Sequence, residues 1–301
     1  MTNMLYKIFN KEKYKNIKIS QKNDELKKIF FQKTEPKLKK IFNTLKKKKE
    51  ISFLHSGHLG DIINSLPLIK EISKKKKTTL YIEINKILPK NISTKTHPSG
   101  KYYLKEDSVK KLMPLLKSIN YISKVKIYNR EIIDVNLNLF RELPINFNID
   151  SVRWYFHLTG MHTDLSIPYF NIKKVNKFKN KIIIMRSLRR QNNFISYRFL
   201  NNYKNIVFVG LKNEYEDLKK VIKSLKYYES KDFLELAKII KSCKLFIGNP
   251  SFGFALAEAV KCPRLLESGP NFPLIYPNGK NCYDFYFQTH FEYLFKKIYK
   301  T

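Results

Sequence analysis

Cysteine, arginine and acidic residues are all scarce in this 301-residue chain. Its three cysteines, Cys243, Cys262 and Cys282, are widely spaced and form no C-x-x-C pair, which excludes a disulfide framework and a zinc site of the usual spacing. Reduced cytosolic thiols are the ordinary reading. No apolar run approaches the roughly 20 residues needed to span a bilayer. The N-terminal stretch, 1–16, alternates short apolar groups with lysines and lacks the apolar core and cleavage site of a signal peptide. No D-x-D occurs, so the carboxylate-held metal that this motif supplies is unsupported, and no metal or resident cofactor is expected. No internal repeat is visible.

Against 25 acidic residues stand 59 lysines and arginines, a formal charge of +34. Such an excess suits a nucleic-acid binder, a membrane-surface protein or an enzyme for anionic substrates. Lysine, asparagine and isoleucine abound together, as AT-rich coding would produce, so lysine number alone is weak evidence. Arginine says more. There are eight, at 130, 141, 153, 186, 189, 190, 198 and 264, and four of them fall within 186–198. A hydrophobic content of 43% argues against wholesale disorder and leaves enough apolar material for one large or two modest cores.

Residues 51–70 carry the strongest local signal. An apolar run over 51–54 predicts a buried strand, and Gly57 and Gly60 predict a tight turn. Ile62, Ile63, Leu66, Ile69 and Ile72 then keep the 3.6-residue period of a helix that starts at Asp61. Such a unit points unpaired N–H groups and a positive helix end at whatever lies above the sheet. Asp61 there is a candidate proton acceptor, or a first-turn acid that the helix dipole favours. His55 and His58 flank the turn, as acceptor ligands or as ordinary turn packing. His97, His157, His162 and His290 read as structural.

The same alternation continues. Strands are predicted at 80–84, 125–128 and 132–137, with helices at 108–119 and 151–158 and a loop through His97 and Pro98. After an exit loop over 159–168 and a charged linker over 171–180 come strands at 181–185, 206–209, 245–247 and 264–266, with helices at 214–225, 233–242 and 252–260. Strands alternating with helices mean mostly parallel sheets covered on both faces. Ligands in such folds bind outside the carboxyl ends of the strands, where the glycine turns fall. The domains expected are a basic leader over 1–48, partly helical, an N-terminal domain over 49–170 and a C-terminal domain over 171–301. Within the leader Leu38, Ile41, Phe42 and Leu45 recur at helical spacing among lysines. They suit a helix packed on the body or one lying on anionic lipid.

A second informative stretch spans 245–260. Gly248 ends a strand, Asn249 and Ser251 suit capping of the next helix, and the helix start makes a diphosphate seat. An ordinary capped turn would also explain Asn249 and Ser251. Glu258 reads either as solvated surface or as a ligand for sugar hydroxyls.

Gly57-His-Leu-Gly-Asp61, with Leu66-Pro67, resembles the N-terminal G-x-x-G-D…P signature of glycosyltransferase family 9, the ADP-heptose:LPS heptosyltransferases. The 247–263 stretch is similar to that family's nucleotide-sugar segment. Gly210 and Glu214 resemble its second C-domain strand end and the acid after it, and Arg186 falls where a basic residue is common. The resemblance covers about 50–270 and implies an α/β GT-B fold, two doubly wound Rossmann-like domains facing a central cleft. The N-terminal half would hold the acceptor through Gly57, His58 and Gly60. The C-terminal half would hold the nucleotide-sugar through Arg186, Ser187, Arg189, Arg190, Gly210, Glu214, Gly248, Asn249, Ser251 and Glu258. Asp61 inherits the role of catalytic base. Asn249-Pro250-Ser251 departs from the family's D-T/S-G, and Phe254 replaces a histidine, so heptose does not follow.

The expected function is therefore inverting, metal-independent transfer of a sugar from a nucleotide-sugar, a co-substrate, to a glycan, lipopolysaccharide or glycoprotein acceptor. Arginines and helix ends would meet the charge of the leaving group. The alternative is a catalytically inactive GT-B-like protein that binds nucleotide or glycan. The third reading, a polyanion binder using the +34 charge, lacks any zinc-finger or RRM signature, so nucleic acid is disfavoured. The expected place is the cytoplasm, with an anionic membrane surface at its inner face as a further partner.

Overall fold

The computed structural model describes residues 10–89, 99–145, 147–270 and 275–300; the turn expected at His97 and Pro98 lies outside them. The chain opens on α1 (Lys11–Ile29), which passes through a π-helical turn, Phe30–Thr34, into α2 (Glu35–Lys47). Asn10 caps α1 by accepting the Lys13 N–H at 2.9 Å, and no residue of α1 is buried. In α2, by contrast, Ile41 and Leu45 join the main core. Phe42, expected on the same stripe, is 49% exposed, because it lies about 100° around the helix from Ile41. The leader is thus one free helix and one helix integral to the body.

β1 (Glu50–His55), β2 (Lys77–Ile82), β3 (Lys124–Ile127) and β4 (Val135–Asn136) form a parallel sheet in the order β3-β2-β1-β4. α3 (Leu59–Ser73), α4 (Glu106–Lys117) and α5 (Ser151–Thr159) belong to this part of the chain. The strand expected over 132–137 shrinks to two residues. Just before β4, Asp134 bonds Ser52 of β1 through side chains: Ser52 N–H donates to Asp134 Oδ2 and Asp134 N–H to Ser52 Oγ, each at 2.9 Å. These bonds replace the ladder there.

The second sheet runs β10-β9-β8-β5-β6-β7 and is also parallel throughout. Its strands are β5 (Ile182–Met185), β6 (Ile206–Phe208), β7 (Lys226–Tyr227), β8 (Leu245–Gly248), β9 (Arg264–Glu267) and β10 (Cys282–Phe285). The accompanying helices are α6 (Lys212–Lys219), α7 (Phe233–Ser242), α8 (Phe252–Val260) and α9 (Gln288–Tyr299). β5, Ile-Ile-Ile-Met, shows why these segments read as strands: parallel strands covered on both faces are continuous apolar runs. β10 and α9 are elements the sequence reading lacked, and α6 stops at Lys219 rather than 225.

One apolar core crosses from Ile63 and Leu66 of α3 to Phe254 and Ala255 of α8 and Phe246 of β8. The first turns of α3 and α8 pack side by side: a methyl group added at Gly60 would just fill the space to Phe252 Cα (3.8 Å) and Ala255 Cβ (3.9 Å). A second cluster, with Phe285, Phe291, Phe295 and Tyr197, fills the space under α9. Among the described residues no helix is long and apolar enough to cross a membrane.

A charged group is also built into the junction of the two halves. Asp150 caps α5, accepting the Val152 N–H at 3.1 Å. Burial, reinforced by the nearby Glu258 carboxylate, pushes its pKa up to about 6. A carboxyl raised in the folded state binds protons that the unfolded chain releases, so its stabilising contribution is present at low pH and lost as pH rises through about 6. Asp150→Asn, which keeps a capping oxygen, should remove this loss. The difference in unfolding free energy between variant and parent should grow by up to about 3 kcal/mol between pH 4 and pH 7, measured by urea titration.

Candidate active site

Strand order locates the site before any side chain does. In the first sheet the order reverses between β1 and β4, in the second between β5 and β8. Crevices open at such switch points, above the carboxyl ends of the strands. The segments leaving β1, β5 and β8 are 56–58, 186–190 and 249–251, the three stretches that the sequence singles out.

On the first sheet, Gly57 has φ +96°, and a Cβ there would press to 3.2 Å from Leu104 Cβ. Glycine is required at this turn by both conformation and space. His58 precedes α3, and Asp61, its third residue, accepts the His58 N–H at 3.3 Å through Oδ2. The same oxygen receives Arg141 Nη2 at 3.0 Å. Arg141 stands in the 3-10 turn Leu137–Glu142 after β4. It also donates to Gly57 O and, at 3.0 Å, to Asn138 Oδ1, with its guanidinium carbon 4.3 and 4.6 Å from the Phe140 and Tyr103 ring centres. Asp61 keeps 19% of its side chain exposed, so this oriented carboxylate is open to the crevice.

Behind it runs a buried relay. His55 Nδ1 accepts the Gly57 N–H at 2.9 Å, which leaves the proton on Nε2 to donate to Tyr155 Oη at 2.9 Å. Tyr155 in turn donates to the Asp61 carbonyl at 2.9 Å. Burial, with Arg141 adding to it, holds the His55 pKa well below that of a free imidazole, and burial lowers that of His58 as well. The relay is neutral and fixes the start of α3.

Facing this, the 3-10 turn Leu188–Arg190 follows β5. Both arginines are pulled down in pKa by burial; Glu214 acts against this at Arg189, and Asp61 acts against it at Arg190. The turn is held from below. Asn249 Oδ1 accepts the Ser187 N–H at 2.9 Å, and its Nδ2 donates to Ser187 O at 2.7 Å. Burial raises the pKa of the Glu214 carboxyl, opposed by the neighbouring Leu211 and Leu188 N–H groups and the Ser187 hydroxyl. Ser251 stands at the N-cap of α8, but its hydroxyl caps nothing: it is buried without a hydrogen-bond partner, beside a helix end that favours anions.

Several expected ligands serve packing instead. Arg186 is not a free fork for phosphate: its Nε and Nη2 bind Glu267 Oε2 and Oε1 at 2.7 and 2.8 Å, beneath the Tyr197 ring. Glu258 is neither solvated surface nor a sugar ligand; it is fully buried, accepting Arg264 Nε at 2.7 Å and pairing with Lys261. Asn249 does not cap α8 but ties the exits of β5 and β8 together. Gly248 and Gly210 answer close packing: a Cβ would sit 2.8 Å from Met185 O at the first and 3.0 Å from the Phe208 ring at the second. Gly60 faces the first turn of α8 with room for a methyl group. Phe254, at the position of the family's histidine, is fully buried in the core. Arg141, Tyr155 and Glu267 were missed. The one available signal was that Arg141 belongs to the sparse arginine set.

The chain superposes on solved structures across most of its length. A glycosyl transferase of family 9 from Veillonella parvula DSM 2008 matches with a TM-score of 0.55 at 16% identity, covering 84% of this chain and 89% of that one. Looser matches are the E. coli heptosyltransferase WaaC with ADP-2-deoxy-2-fluoro heptose (TM-score 0.45, 10% identity, 78% of this chain and 92% of that one) and E. coli ADP-heptose LPS heptosyltransferase II (TM-score 0.46, 11% identity, 78% and 90%). No protein-family model and no curated protein sequence matches the chain.

Proposed function

We propose that this chain, which has the GT-B fold of the family 9 structure, is an inverting glycosyltransferase that moves a sugar from a nucleotide-sugar to a glycan or lipid-linked acceptor. The observation that carries the reading is the placement of a partly exposed Asp61 carboxylate in the first turn of α3, which packs against the first turn of α8 beside the exits of β5 and β8. An acceptor hydroxyl is a poor nucleophile, and a carboxylate within hydrogen-bond reach takes its proton as the oxygen attacks the anomeric carbon. The bond to the nucleoside diphosphate breaks on the opposite face, which inverts the configuration. The departing diphosphate gains charge, and Arg189, Arg190 and the N-terminus of α8 with its unpartnered Ser251 hydroxyl supply fixed positive groups and donors for it. The chain has no D-x-D to hold a divalent ion, so the reading needs none. Asn249 and Phe254, which depart from the pattern of family 9, are both fully buried.

Transfer from a panel of labelled ADP-, GDP-, UDP- and CDP-sugars, with the anomeric configuration of the product read by NMR, tests the proposal. Turnover with one donor and inverted product supports it. Binding of a nucleotide-sugar without transfer or hydrolysis would leave a non-catalytic binder. Losing both guanidinium groups in Arg189→Ala/Arg190→Ala should weaken binding of the nucleoside diphosphate product by about 10²- to 10⁴-fold in calorimetry, since each hydrogen bond to a charged group is worth about 1.5–3 kcal/mol. Unchanged affinity would place the diphosphate elsewhere.

A further inference from the structure

The outer face of α2 has no role in the site. Ile41 and Leu45 turn inward, and the opposite side of the helix carries Lys39, Lys40, Lys46 and Lys47. Lys39, Lys40, Asn43, Thr44, Lys47 and Lys48 line an open concavity whose wall includes no carboxylate. Lys39 is tied to Glu35 at 3.0 Å and Lys48 to Asp134 at 2.6 Å, whereas Lys40 and Lys47 make no ion pair among the described residues. Large apolar side chains flank this basic face. Phe42 is 49% and Phe31 59% exposed, and Ile19, Leu26 and Ile29 stand out from α1, a helix with no buried residue and seven lysines to three acids. Isolated exposed apolar groups need no explanation. Exposed aromatic rings beside lysines on the solvent side of α2 join an apolar body to a cationic rim, a mixture that suits a bilayer interface.

We infer that the outer face of α2, with the turn that carries Phe31, forms a docking surface for an anionic bilayer, with lysines against headgroup phosphates and Phe31 and Phe42 entering the headgroup layer. Charge complementarity selects an anion. The mixture of chemistry selects a lipid surface over nucleic acid: residues 10–48 contain no arginine, the residue that reads base edges and phosphates bidentately, while compact ammonium groups and apolar wedges suit a fluid interface. On the proposed transferase reading, which this inference extends, a lipid-linked acceptor would lie at that surface.

Vesicle flotation with the full chain tests it, using neutral phosphatidylcholine and phosphatidylcholine with 30% phosphatidylglycerol as probes. Binding to the anionic vesicles alone is expected. Lys40→Glu/Lys46→Glu/Lys47→Glu should weaken it by about 100-fold and Phe31→Ser/Phe42→Ser by about tenfold, with melting temperatures unchanged because all five side chains face water. Equal flotation with neutral vesicles, or anionic binding that survives the triple reversal, overturns the proposal. So does binding of a 20-base-pair duplex with equal affinity and no response to the phenylalanine substitutions, which would make the face a general polyanion site. Flotation does not depend on turnover. Binding as expected from a protein that transfers no sugar would therefore reject the transferase reading alone, and a turnover-competent protein that ignores vesicles would reject this one alone.

Discussion

Asp61→Asn should lower kcat by about 10²- to 10⁴-fold, the range a positioned general base contributes, while the donor KM changes little. Asparagine has nearly the same shape and keeps an oxygen to accept the His58 N–H, so α3 should still start where it does. The ion pair with Arg141 becomes a neutral hydrogen bond, and that pair is partly exposed, so the expected stability change is small. Steady-state kinetics together with a thermal melt separate the two effects. Turnover equal to that of the parent would remove the base; a collapsed melting temperature would show that the carboxylate serves the fold. Tyr155→Phe gives a contrasting case. It removes the phenol that His55 and the Asp61 carbonyl share without touching the reacting atoms.

Glu258→Ala should cost about 3–5 kcal/mol of unfolding free energy, the usual penalty for removing one member of a buried ion pair. Both Glu258 and Arg264 are fully buried, and Lys261 pairs with the same carboxylate. Alanine would leave two cations facing each other without a counter-ion, next to the backbone of Asn278, whose N–H also points at the carboxylate and whose carbonyl accepts from Arg264. A urea titration measures the loss. A change below about 1 kcal/mol would mean that water or a rearranged Asp150 takes over the charge, and the account of this junction would fail.

The fold was legible because buried parallel strands announce themselves: Ile182-Ile-Ile-Met185 admits little besides a covered strand, and Gly57 to Asp61 places turn and helix together. The same segments line the crevice above the two sheets. The division of labour inside it was not legible. Arg141 reaches Asp61 across 80 positions of sequence and Arg186 reaches Glu267 across 81, and no local spacing encodes such partners. An arginine after a strand reads as a phosphate ligand until the acid at the end of another strand claims it. Glu258 illustrates the same limit from the opposite side. A carboxylate in an alanine-rich helix looks solvated or functional, and only the neighbouring strand, which carries Arg264, shows that it closes a buried pair. β10 and α9 escaped notice because Cys282–Phe285 mixes polar and apolar positions on an edge strand, and α9 follows it directly.

The packing of α3 against α8, inside one apolar core, has a mechanical consequence. Two halves sharing one dry junction at the floor of the groove cannot separate there without wetting it, so any breathing motion must pivot about that floor and widen the rim. Asp61, next to Gly60 in that floor, would then keep its bearing while the rim moves.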